Sequence, residues 1–366
     1  MNKLKDLLEC GQSIWLDYIQ RSHIASGELK EMVADGLRGM TSNPNIFQSA
    51  IADTSDYDSA IDSILKAEPN IGIQGLYERL AIEDIQSAAD VLRPVYDESN
   101  GADGLVSFEV SPHLAYDSAT TISEAKRLWQ AVSRPNLMIK VPATSEGFSA
   151  IEALIAERIN VNATLMFSMS HYEGVASAYI RGLERNPKPS GAVSVASFFV
   201  SRVDTSVDRA LEAIGTPEAL ALRGKAAVAN AKIAYKRFTE IFYGGDFESL
   251  RAKGAKVQRV LWGSTSTKNP AYSDVLYIDE LIGPDTVNTV PPVTLKAFID
   301  HGQVRSSLSE GLAEAEGHLA HLEELGIDLD AITEQLQKDG VVAFATAYDG
   351  LLASLEQKRD SMVLKV

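Results

Sequence analysis

A lysine stands inside an otherwise apolar run, Leu137-Met138-Ile139-Lys140-Val141-Pro142. Such a lysine can sit on an exposed rim, pair with an inward carboxylate, or point into an interior where lost solvation favours the neutral amine, a nucleophile for carbonyl carbon. Asp17, closing Ile14-Trp15-Leu16-Asp17, and Glu109, closing Val106-Ser107-Phe108-Glu109, each end an apolar run. Two carboxylates in different environments can act as separate acid and base. Each can equally be a counter-ion or the cap of a following helix. The stretch Thr41-Ser42-Asn43-Pro44-Asn45-Ile46-Phe47 can present hydrogen bonds to a polyol, or cap a helix opened by Pro44. His318 and His321, three apart in an acidic helical stretch, read as a solvated face rather than a metal-binding pair. The expected site holds no metal.

These residues need elements to bring them together. Short apolar or β-branched runs alternate with longer segments whose apolar residues recur every three or four positions, the pattern of βα units. Strands are expected over Ser13–Asp17, Leu37–Thr41, Gly104–Val110, Leu137–Val141, Asn160–Phe167, Ala192–Phe199, Val257–Gly263 and Thr286–Thr289. Helices are expected over Gly27–Asp35, Gly75–Val91, Thr121–Val132, Gly147–Ala156, Ser170–Arg181, Val203–Ile214 and Pro217–Tyr243, with two or three more between Pro44 and Val95. Eight strands without a glycine-rich dinucleotide turn predict an α/β fold, a closed (β/α)8 TIM barrel, with a doubly wound sheet as the weaker alternative. After the last strand, Ser309–Leu325, Asp330–Lys338 and Val341–Leu364 predict helices. The chain is therefore read as a barrel over 1–305 with a helical C-terminal extension over 306–366, packed on it as one domain. Active residues of such barrels gather at the C-terminal strand ends. The polar residues there are Asp17, Thr41 with Asn43, Glu109, Lys140, Asn162 with Thr164, Ser197 with Arg202, Ser264 with Lys268, and Asn288.

Composition narrows the partners. The 366 residues carry 34 Lys and Arg against 50 Asp and Glu, a net charge of −16. That balance argues against nucleic acid and against anionic membranes. One cysteine, Cys10, cannot form an intramolecular disulfide, and the N-terminus lacks the uninterrupted apolar stretch of a signal peptide, so a cytoplasmic location is expected. No apolar run reaches the roughly 20 residues that span a bilayer.

Five motifs, in order, resemble the strand motifs of transaldolase: Trp15-Leu16-Asp17, Thr41 to Phe47, Val106-Ser107-Phe108-Glu109-Val110, Ile139-Lys140-Val141-Pro142-Ala143-Thr144, and Asn160-Val161-Asn162-Ala163-Thr164-Leu165-Met166-Phe167-Ser168. The resemblance runs from Asp17 to at least Lys268 and implies a class I, cofactor-free transfer of a dihydroxyacetone unit between sugar phosphates. It implies that Lys140 forms the Schiff base, that Asp17 is the general base at the C4 hydroxyl, and that Glu109 and Thr164 hold a water for proton transfer. Asn43 and Asn162, with Thr41 nearby, would hold the hydroxyls of the three-carbon unit. Phe199, in Ser197-Phe198-Phe199-Val200-Ser201-Arg202, matches the family's pocket aromatic, where related simple aldolases resemble this pattern with a tyrosine. It can equally be an ordinary core aromatic. Ser197 and Arg202 match one side of the phosphate site. On the other, Leu261-Trp262-Gly263-Ser264-Thr265-Ser266-Thr267-Lys268-Asn269-Pro270 departs from the family's Ala-Ser-Phe-Arg stretch. Ser264 aligns, while Lys268 stands further along and replaces a guanidinium fork by an ammonium. The departure suits a longer bacterial-type subgroup. A Schiff-base aldolase that cleaves or forms fructose 6-phosphate without an acceptor is the alternative, and a non-catalytic scaffold is a third reading. The expected partners are sugar phosphates, drawn to a local funnel of Lys140, Arg202 and Lys268 in an acidic surface, on a monomer or homodimer.

Overall fold

Eight parallel strands, β1 (Gln12–Asp17), β2 (Gly39–Thr41), β3 (Leu105–Glu109), β4 (Leu137–Pro142), β5 (Val161–Met166), β6 (Ser194–Phe199), β7 (Arg259–Gly263) and β8 (Thr286–Val290), pair in sequence order, and β8 pairs with β1 to close the barrel. The computed structural model describes residues 2–52 and 54–363. Every strand end lies within two residues of its expected place. The runs are this legible because a parallel barrel strand is buried on both faces and must be apolar or β-branched nearly throughout. β3, β4, β5, β6 and β8 are buried at every position.

Side chains alternate along each strand, so a residue's parity decides whether it points inward. At the lower level Trp15, Leu105, Met138, Val195, Leu261 and Val287 pack together inside the barrel. Two residues further along their strands stand Asp17, Ser107, Lys140, Ser197, Gly263 and Thr289. The apolar layer is thus a floor, and the same parity carries the polar groups above it. Gly39 belongs to the floor by its absence of a side chain, since a Cβ there would sit 2.6 Å from the Trp15 indole. Below, Asp103 accepts hydrogen bonds from Ser13 Oγ at 2.7 Å and Trp15 Nε1 at 3.3 Å and pairs with Arg259 at 2.9 Å, which closes the far end.

Three helices, Pro44–Ala52, Asp58–Ala67 and Ile73–Glu98, follow β2. Two expectations need correction. Pro217–Tyr243 is two helices, Pro217–Leu220 and Ala226–Tyr243. The break falls at Gly224, whose φ of 71° is left-handed, whose N–H bonds Asp208 Oδ1 at 2.9 Å, and where a Cβ would strike the Tyr272 ring. Conversely, Asp330–Lys338 and Val341–Leu364 are one helix, Leu329–Val363, with Leu364 outside the described residues. Gly340, which falls between the two expected helices, is a close-approach residue: a Cβ there would lie 2.9 Å from Leu165 Cδ2 at the end of β5. A mid-helix glycine costs about 1 kcal/mol of helix propensity. Here it lets the helix lie directly on the barrel. This C-terminal helix also packs on Pro44–Ala52, Ile73–Glu98 and the helix Ser201–Ile214. Among the described residues, no helix is long and apolar enough to cross a membrane.

Candidate active site

The C-terminal strand ends and their loops enclose a cavity of about 430 Å³. Of the expected site residues, Asp17, Thr41, Asn43, Lys140, Thr164, Ser197, Phe199, Arg202, Ser264 and Lys268 line it. Glu109 and Asn162 are buried beneath, and register explains the arrangement: Glu109 is paired with Lys140 and Lys140 with Asn162 on three consecutive strands. Asn288 is not in the site. It has the opposite parity to the floor residue Val287, and its amide faces the Tyr277 carbonyl at 3.4 Å, while Thr289 takes the inward place.

Lys140 is 5% exposed, yet its ammonium has partners. Nζ donates to the Ser42 carbonyl at 3.3 Å, lies 3.5 Å from Glu109 Oε2, and sits 5.7 Å from the centre of the Phe344 ring. Burial raises the Glu109 carboxyl to about 7, partly opposed by Lys140. Glu109 can therefore hold or release a proton near neutrality. Among the described residues, neither Glu109 oxygen nor the buried Thr164 hydroxyl has a hydrogen-bond partner, so both keep polar capacity. Asp17 is also raised by burial, with Lys140, the Thr41 hydroxyl at 2.7 Å and Lys268 opposing. The two carboxyls thus sit in different environments around one amine.

The remaining polar groups form a second network. Ser197 Oγ donates to Asn162 Oδ1 at 2.6 Å, and Asn162 Nδ2 donates to Ser107 Oγ at 3.0 Å, which orients the Asn162 amide. Asn43 both lines the cavity and caps the helix Pro44–Ala52, its Oδ1 accepting from Ile46 N–H at 3.1 Å. At the opposite wall Arg202 packs 5.5 Å from the Phe199 ring and, among the described residues, has no ion-pair partner. Ser264 adopts a left-handed φ of 54° and shares a 2.9 Å hydroxyl contact with Ser201. Lys268 Nζ donates to Ser266 Oγ at 2.8 Å on the same wall. Arg202 and Lys268 therefore make part of the lining cationic and rich in hydroxyls, in the same cavity as Lys140 and Asp17. A buried amine, two carboxyls in different environments and a cationic, hydroxyl-rich lining suit covalent chemistry on a phosphorylated carbonyl compound.

The model of the Transaldolase/Fructose-6-phosphate aldolase family matches residues 14–355. The chain belongs to this family. It is 48% identical to a transaldolase of Thiobacillus denitrificans over 97% of this chain and all of that protein. It is 46% identical to transaldolase 2 of a Nostoc species over 98% of both chains. It is also 44% identical to transaldolase 1 of Streptomyces coelicolor, over 98% of this chain and 95% of that one. The family match extends through most of the C-terminal helix, in keeping with that helix's place at the cavity.

Three groups escaped the sequence reading. Ser107 and Thr289 are small hydroxyls inside β-branched or apolar runs, and only strand parity marks them as inward-facing. Phe344 reaches the cavity from the C-terminal helix, more than 200 positions beyond Lys140. No local pattern distinguishes it from any other apolar helix residue.

Proposed function

We propose that this barrel transfers a dihydroxyacetone unit from a ketose phosphate, sedoheptulose 7-phosphate or fructose 6-phosphate, to an aldose phosphate, glyceraldehyde 3-phosphate or erythrose 4-phosphate, through a Schiff base on Lys140. The observation that carries this reading is the buried Lys140 amine between the Glu109 carboxyl and the open cavity. The neutral amine attacks C2, the carbinolamine loses water, and the iminium accepts the electron pair when the C3–C4 bond breaks. Glu109, raised to about 7, and Thr164 supply the proton transfers of carbinolamine formation and dehydration through a shared water, a role supported by their free polar capacity. Asp17 takes the C4 hydroxyl proton during cleavage and returns it to the acceptor. Asn43, Asn162, Thr41 and Ser197 hold the hydroxyls of the three-carbon unit. Arg202, Ser264 and Lys268 take the phosphate, helped by the positive N-terminal end of the helix Ser201–Ile214.

Transfer requires that the enamine wait unprotonated for its acceptor. Phe199, with no hydroxyl to donate, supports transfer over simple aldol cleavage, as does the naming of the relatives. A cytoplasmic setting, a monomer or homodimer, and a catalytic unit over 1–305 carrying the 306–366 extension belong to the same proposal. Borohydride reduction in the presence of fructose 6-phosphate should inactivate the protein and add mass at Lys140, and Lys140→Met should abolish both effects. An adduct elsewhere, or none, overturns the Schiff-base assignment. Coupled assays then decide between transfer and aldol cleavage: substantial release of glyceraldehyde 3-phosphate without erythrose 4-phosphate would favour the aldolase.

A further inference from the structure

The hydroxyl that touches Asp17 is itself held from a third strand. Thr41 Oγ1 lies 2.7 Å from Asp17 Oδ1 and 2.7 Å from Thr289 Oγ1. A threonine hydroxyl carries one proton, and an ionised carboxylate can only accept. The Thr41 proton therefore points to Asp17, so the proton between the two threonines must come from Thr289. The result is a directed chain, Thr289 to Thr41 to Asp17, crossing β8, β2 and β1. Register makes it possible, because β1 lies between the other two, with Trp15 paired to Thr289 and Asp17 paired to Thr41. Thr289 is 5% exposed, lines the cavity, and has its carbonyl fixed by Thr265 Oγ1 at 3.0 Å.

We propose that Thr289 is a positioning residue for proton transfer at Asp17, acting through Thr41. It holds Thr41 in the rotamer that donates to the carboxylate and polarises that bond, since hydrogen bonds in a chain strengthen one another. The inference rests on the reading of Asp17 as the base in carbon-carbon cleavage. The charged groups facing Asp17 are Lys140 from β4, Lys268 from the loop after β7 and, across the floor of the cavity, Glu109 from β3. Thr289 bears on none of them directly. Its removal weakens a hydrogen bond that favours ionised Asp17, which moves the carboxyl further up from its already raised position.

Thr289→Val keeps the shape and deletes the donor. Its acid limb for cleavage of fructose 6-phosphate, with erythrose 4-phosphate as acceptor, should move to higher pH by on the order of half a unit. In the same variant kcat should fall several-fold with little change in KM, and borohydride trapping of the initial Schiff base should stay at the unmutated rate. Thr289→Ser should restore both profile and kcat, and Thr289→Ala gives a second donor-less variant if the valine impairs folding. A donor-less variant with the unmutated pH profile, or a serine variant no better than the valine, overturns the proposal. Asp17→Asn separates this from the underlying reading. If it leaves cleavage intact, the base assignment itself fails; if it abolishes cleavage while Thr289→Val changes nothing, the positioning role alone fails.

Discussion

At the scale of single residues the site is organised by what burial does to charge. Lys140 and Asp17 line one cavity with Glu109 buried beneath it, and desolvation raises both carboxyls while the lysine opposes it. Glu109, raised to about 7 by burial, is the group that changes charge near neutrality. Iminium formation, followed by rapid-quench borohydride trapping, should bend near pH 7. Glu109→Gln should remove the bend and slow trapping by roughly two to four orders of magnitude. A Glu109→Gln protein that still bends near pH 7 would place the titrating group elsewhere. Parity settles the smaller residues: Asn288 and Thr289 are neighbours in sequence, yet one faces the Tyr277 carbonyl and the other the Thr41 hydroxyl in the cavity.

Among the elements, the C-terminal helix Leu329–Val363 changes what the barrel alone would be. Gln337 Nε2 donates to the carbonyls of Ala143 at 2.8 Å and Leu165 at 3.0 Å, at the ends of the strands that carry Lys140 and Thr164. Leu165 stands in left-handed conformation with φ 60° where β5 slips register against β6, so its carbonyl is turned out of the ladder and the helix satisfies it. Gln337→Ala leaves two buried carbonyls without a donor. It should lower stability by about 1–3 kcal/mol, read by urea unfolding, and an unchanged midpoint would show that the clamp is dispensable. Four residues' separation on a helix is one turn, and within two turns of Gln337 the chain places Phe344 over Lys140. Phe344→Leu should raise acceptor-independent release relative to transfer several-fold, because a smaller roof admits water to the enamine. General damage to the fold would instead lower release and transfer together. Phe344→Ala should in addition destabilise by about 3 kcal/mol.

For the whole molecule, the −16 charge and the phosphate chemistry are reconciled by location. Arg202 and Lys268 form no ion pair among the described residues and line one cavity, while the many surface acids pair with neighbouring bases or face solvent. The pH dependence of stability follows from the buried acids. Asp204, raised to about 6 by burial, and Glu109, raised to about 7, bind more protons folded than unfolded between the ordinary carboxylate range and those values. Stability should therefore fall as pH rises from about 4 to 7. Acids held low, such as Glu152 beside Arg181 and Arg185, act in the opposite sense but below that window, and the exposure of the arginine partners makes such pairs worth little. The thermal midpoint should decline between about pH 5 and 7.5, with Glu109→Gln flattening the slope; a midpoint that climbs over that interval contradicts this. The sequence by itself determined the eight strands, their order and most of the groups at their ends, because a strand buried on both faces leaves an uninterrupted apolar record and one polar residue in it stands out. It also carried the five motifs that mark the family. Only the tertiary structure decided the rest: that Gly340 is a close contact with Leu165, that Phe344 reaches the cavity, and that Gln337 clamps the ends of β4 and β5. Each of those depends on which distant segment lies alongside, and local periodicity holds no information about a neighbour supplied from hundreds of positions away.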